Sequence, residues 1–271
     1  MTAMRGLRIV PFLLTPFLAS AASPGGSNSL PSLGKEESAQ VLSDFRNSGL
    51  PCDLVMRFEL RHLPREGDAS APETGTIWMT WRHGQPAVRV EIGANRFLLL
   101  RKDGQSTLLK STGGPAVAIP PADALKPLLT GHVFAPFDLQ APFTHWAGTA
   151  YERTERRRGR PLNLFLAKAP AGAQPAAVRF GLDRAYLALI EATSLDAAGK
   201  PLRLMLIEDF AQVDKSIWIL GKASVRDELT RDRDTLEVRE ACIDARLPAT
   251  LFTPESLASP APATAGTFHR L

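Results

Sequence analysis

The chain alternates apolar and polar residues over most of its length. Leu54, Met56, Phe58 and Leu60 fall on one side of a run whose other side is Val55, Arg57, Glu59 and Arg61. Period two is the signature of a strand with one face in a core and one in water, and antiparallel pairing suits such two-faced strands. The alternation returns at Ile77, Met79 and Trp81, and again at Val88, Val90 and Ile92. Residues 95–110 read as a hairpin turning at Asp103-Gly104, a favoured turn pair. A second hairpin has the arms GTAYERTE and PLNLFLAKA, with RRRGR at its tip and Leu162, Leu164 and Leu166 on one face of the second arm. AVRFGLD, YLALIEAT, PLRLMLIEDF, KSIWILGKASVRDE and DTLEVREACIDARL complete a set of about ten or eleven strands.

Helical spacing is scarce. In 35–49, Val41, Leu42 and Phe45 share a face and Gly49 offers a stop. Pro120-Pro121 opens a short piece that Pro127 limits, and Thr253 with Pro254 at the first helical position opens another. The pattern therefore predicts a mainly β (α+β) chain, a strongly curved antiparallel sheet carrying a few short helices.

The N-terminus departs from this pattern. Arg5 and Arg8 precede an apolar stretch from Ile9 to about Leu18, no acid occurs before Glu36, and Ala19-Ser20-Ala21 is a small-x-small site. That is the layout of a secretory signal peptide; the alternative is an uncleaved anchor, although the stretch falls short of the ~20 residues that span a bilayer. The expected organisation is a signal peptide over 1–21, a flexible leader over 22–34, one β domain over 35–258 and a disordered Pro/Ala/Thr-rich tail over 259–271. Export places the protein in the periplasm. It also permits a disulfide between Cys52, just before the first strong strand, and Cys242 in the last; the alternative is two separate thiols packed as small apolar groups.

Charge narrows the partners. The chain has a net charge of +4, and loss of Arg5 and Arg8 with the signal peptide leaves +2. Five arginines and two glutamates between Glu152 and Arg160 account for +3, so the remainder of the exported chain is slightly acidic. A nucleic-acid binder spreads basic residues over a face; here the excess sits at one hairpin tip, which argues against nucleic acid. Arg156, Arg157, Arg158 and Arg160 read either as a solvated tip that discourages edge pairing or as a contact for an anion, such as a membrane headgroup or an acidic partner.

No motif carries catalysis. The five histidines show no metal-ligand spacing, no Cys–His cluster exists, and Gly-x-Ser-x-Gly, His-Glu-x-x-His and phosphate-cradling glycine loops are missing from the sequence. The reading is a non-enzyme with no cofactor and no metal. Leu54, Met56, Phe58, Leu60, Ile77, Met79, Trp81, Val88, Val90 and Ile92 would face the concave side, where they form either a ligand cavity or an ordinary filled core.

Several segments in order resemble the LolA-like outer-membrane lipoprotein-sorting proteins, over about Lys35 to Leu257. Asp138-Leu139 before Phe143-x-x-Trp146 is followed by a hairpin with Gly159-Arg160 at its tip. Asp183 then precedes the hairpin turn Asp196-x-x-Gly199-Lys200, and the ending reads Leu-Pro, Phe-Thr-Pro and Leu over 247–257. The resemblance implies an unclosed antiparallel half-barrel with helices over its open side. It implies a periplasmic, non-enzymatic binder or carrier of a lipid or lipoprotein acyl chain, with the membrane surface or an inner-membrane complex as further partners. The second reading is a periplasmic protein-interaction or sensor module built on the same fold with a filled core.

Overall fold

A computed structural model describes residues 30–49, 52–82, 85–102, 105–214, 217–243 and 245–271. The expected signal peptide and the Asp103-Gly104 turn lie outside them. The described chain holds helix α1 (Lys35–Asn47) and strands β1 (Leu54–Leu63), β2 (Glu73–Arg82), β3 (Gln85–Ile92), β4 (Asn95–Lys102), β5 (Gln105–Ser111) and β6 (Val117–Ala118). After helix α2 (Pro136–Gln140) come β7 (Gly148–Arg157), β8 (Arg160–Lys168), β9 (Ala177–Asp183), β10 (Leu189–Leu195), β11 (Pro201–Asp214), β12 (Ile217–Asp227), β13 (Arg233–Ile243) and β14 (His269–Arg270). There are thus fourteen strands rather than ten or eleven; β6 and β14 are two-residue pieces with no period to read.

The sheet runs β6-β5-β4-β3-β2-β1-β13-β12-β11-β10-β9-β8-β7, every pairing is antiparallel, and β6 and β7 end it without meeting. It is an unclosed, curved barrel. Each half is a meander of sequence neighbours, and one long-range pairing joins them, β1 with β13, running from Leu54↔Ile243 to Leu63↔Arg233 with a register shift between Arg57 and Phe58.

The inner face holds two cores. Over β8 to β11, α1 seats Leu42 and Phe45 against Phe165 and Phe180, with Phe137 and Phe143 from α2 and the turn after it completing an aromatic cluster. Over β1 to β5 and β11 to β13, the packing is mostly aliphatic and includes Leu54, Met56, Phe58, Leu60, Ile77, Met79, Val88, Val90 and Ile92, with Trp81 partly buried beside them. Leu139 of α2 and Leu128 from the segment before it reach over that second half.

The outer face corrects two expectations. Residues 259–271 are strapped across it rather than disordered. Arg89, on β3, is 1% exposed and donates to the carbonyls of Leu251, Ser256 and Ser259. Trp78 Nε1 donates to Thr264, Ala261 N–H to Glu91, and β14 pairs with β13. A Pro-rich strap has no helix or strand period, and its hold comes from a guanidinium on a distant strand. Cys52 and Cys242 carry separate thiols rather than a bridge. Cys242 Sγ packs under the strap, where a Cβ on Gly266 would stand only 2.5 Å away.

Candidate functional site

Inward residues of both halves of the sheet line a narrow slit of about 90 Å³. Of the ten concave-face candidates, Met56, Phe58, Leu60, Ile77, Met79, Trp81, Val88, Val90 and Ile92 line it; Leu54 is fully buried in the same core but outside the lining. Met205, Leu220, Ala223, Val225 and Leu236 add the wall from β11 to β13, which the sequence reading did not assign, and Leu128, Phe134 and Leu139 form a lid. Among the described lining residues, only Arg101 and Gln140 carry strongly polar side chains.

Trp81, Pro86 and Arg101 also line a second, larger groove of about 820 Å³, between α1 and the start of β7. Its described lining includes Lys35, Arg46, Arg101 and His145 and no acidic residue. Arg101 donates to the Gln140 carbonyl at 2.6 Å and lies 2.8 Å from His145 Nε2. Arg46 donates to the carbonyls of Thr144 and Trp146. Burial pushes Arg101 down to about 10 and lowers Arg46. His145 is pushed down to about 4, by burial first and then by Arg101 and Arg46. Two guanidiniums and a neutral imidazole thus stand together, with no acidic partner among the described residues, at the mouth of an apolar slit. An anionic group entering there meets unneutralised donors in a partly desolvated setting.

The arginines at the β7–β8 tip are placed differently. Arg157 pairs with Glu155 and Glu191, Arg160 lies 3.7 Å from Asp183, and Arg156 donates to the Gly159 carbonyl. Arg153 pairs with Glu155, and Arg179 with Glu152. Arg158 and Gly159 make the turn itself with φ of 49° and 79°. Acids of neighbouring strands therefore balance much of the run, and the groove is the less neutralised cationic feature. Sequence spacing could not find it, because Lys35, Arg46, Arg101 and His145 come from three separate segments.

The residues that carried the family resemblance hold local structure. Asp138 is fully buried; it accepts from Ala135 N–H and pairs with Arg203 of β11, whose guanidinium also reaches the Val133 carbonyl. Burial raises its pKa against the pull of Arg203. Asp183 accepts the N–H groups of Ala185 and Tyr186, and Asp196 those of Ala198 and Lys200 in the turn that Gly199 completes at φ 79°.

Three further comparisons bear on the fold. A domain from Vibrio parahaemolyticus assigned to outer membrane lipoprotein sorting superposes with a TM-score of 0.70 at 14% identity, covering 83% of this chain and 98% of its own. A DUF1329-family protein from Desulfovibrio piger gives 0.65 at 9% identity, over 76% of this chain and 91% of its own. A LolA superfamily protein from Nitrosomonas europaea gives 0.57 at 13% identity, over 81% and 98%. No protein-family model and no curated protein matches the sequence. The chain has the LolA-like fold. Among the described residues, no helix is long and apolar enough to cross a membrane.

Proposed function

We propose that this protein is a non-enzymatic, periplasmic binder or carrier of a lipid or lipoprotein acyl chain, exported through residues 1–21. The acyl chain would enter the slit, and an anionic group of the same ligand, a carboxylate or headgroup phosphate, would rest on Arg46 and Arg101. One observation carries the reading: an apolar slit and an acid-free cationic groove share Trp81, Pro86 and Arg101 as their common wall. Such a junction matches a molecule with one apolar and one anionic end. The slit is smaller than the ~150 Å³ cavities that hold benzene, so a chain enters only as Leu128, Phe134 and Leu139 swing outward.

The narrowness of the slit favours the second reading, a protein-interaction or sensor module with a filled core. Lipid extraction and mass spectrometry of protein purified from the periplasm, together with displacement of a fluorescent fatty acid, separates the two. Binding that weakens in Arg101→Gln and in Met79→Trp supports the carrier. Absence of both bound lipid and probe binding leaves the interaction module.

A further inference from the structure

Three segments distant in sequence bring two imidazoles and a carboxylate together at the rim of the slit. His62 continues the inward series of β1 after Leu60, and Asp234 of β13 is its cross-strand partner. His132 comes from the lid segment before α2. His62 Nδ1 is 2.8 Å from Asp234 Oδ1, and His132 Nδ1 is 3.2 Å from Asp234 Oδ2. One ligating atom from each of the three residues lies within 4.8 Å of the others. The side chains of His132 and Asp234 are 4% and 0% exposed.

Hydrogen bonding accounts for one ring nitrogen of His132 and leaves the other open. Its Nε2 lies 3.1 Å from Glu73 Oε1, which places a proton on that nitrogen. The buried Nδ1 has no aligned hydrogen-bond partner although it faces Asp234 Oδ2. In a neutral ring the Nδ1 lone pair opposes a carboxylate oxygen; either a second ring proton, which Asp234 first and then Glu73 favour by raising the pKa against burial, or a metal cation between them makes the contact attractive. An imidazole whose outer N–H is held by a carboxylate is also the usual outer arrangement of a metal-bound histidine. Asp234 Oδ2 meanwhile accepts Val133 and Phe134 N–H, which fixes the carboxylate in place.

We propose that His62 Nδ1, His132 Nδ1 and the Asp234 carboxylate form a site for one divalent first-row transition metal, zinc by the donor set, with a fourth position left to water. Bond lengths of about 2.0–2.2 Å place tetrahedral ligand atoms roughly 3.3 Å apart. The cluster, whose ligand atoms lie within 4.8 Å of one another, reaches that by opening the His62–Asp234 contact by about half an ångström and drawing the two imidazoles to the same spacing. Binding expels the proton shared between His62 and Asp234 to solvent. The ion would tie the lid to both strands of the β1–β13 pairing.

The test uses the whole chain, expressed without a histidine tag and stripped by a chelator. It is titrated with Zn²⁺ alone against a chromophoric competitor, and with Co²⁺ to read the visible spectrum. The expected result is one equivalent bound, with cobalt bands of nitrogen and oxygen coordination. His62→Gln, which keeps a polar group beside Asp234, and His132→Gln should each weaken zinc about 100-fold. Glu73→Gln, at the outer partner, should weaken it about 10-fold. His269→Gln, on the outer strand β14 and away from the cluster, should leave zinc affinity unchanged and serves as the reference. Absent uptake, or uptake that His62→Gln and His132→Gln leave unaltered, overturns the site and returns the cluster to a hydrogen-bonded rim.

Discussion

His145 gives the sharpest check on the groove. Its pKa in the folded chain is pushed down to about 4, whereas an unfolded histidine titrates near 6.5. Between those values the unfolded chain holds a proton that the folded chain refuses. Stability therefore falls as pH drops from about 6.5 to about 4, and is flat in this group outside that window. At about 1.36 kcal/mol per pH unit the full gap is worth roughly 3 kcal/mol, and partial exposure of the ring to the groove reduces this to about 1–2 kcal/mol. Urea denaturation of the wild type and of His145→Gln at pH 7, 5.5 and 4.5 isolates it. The wild type should lose about 1–2 kcal/mol relative to the variant on descending the series. Arg101→Gln should move the His145 titration upward, followed by NMR, yet leave it below 6.5, because burial outranks the guanidinium as a cause. A wild-type-minus-variant difference that does not change with pH, or a His145 that titrates at its ordinary value, refutes this account of the groove. The same arithmetic reaches function. An anion placed beside Arg46 and Arg101 must raise the His145 pKa, so loading should take up a proton and tighten as pH falls toward 5.

Phe58→Arg, at a side chain 2% exposed, should cost several kcal/mol in urea. Arg57→Ala, on the opposite face, should cost under about 1 kcal/mol, through its exposed pair with Glu240 and its stacking over Phe268. Asp138→Ala should lose about 3–5 kcal/mol by stranding the buried Arg203, and Asp138→Leu with Arg203→Met should recover most of it, a cycle read by thermal melts. Arg158→Asn should stabilise by about 1 kcal/mol, because Arg158 holds φ 49° in the tip turn and asparagine tolerates that conformation better.

The inward faces of β1, β2 and β3 were legible because period two survives along each, and burial follows it from Leu54 to Ile92. The helix at 35–47 was legible from Leu42 and Phe45. The second helix was not, since five residues from Pro136 hold little more than one turn. Val55 reads as an outward position, yet it is buried with Trp78 under the strap, whose attachment depends on Arg89. Local pattern cannot report a partner 160 residues away. The same limit hid both the cationic groove and the His62, His132 and Asp234 cluster, whose members gain meaning only through sheet register and the return of the lid.

The single β1–β13 pairing sets the order in which the molecule can be assembled. Each meander closes over short stretches of chain and can form early, but β1 must wait for residues about 180 positions later before its second edge is satisfied. Until then both meanders present an unpaired strand to any neighbour, the hazard that holding chaperones would have to manage. The slit draws its walls from both sides of that joint. An occupant would therefore hold the two meanders together, and amide exchange along β1 and β13 should slow on loading more than exchange in the outlying β4–β5 or β7–β8 hairpins.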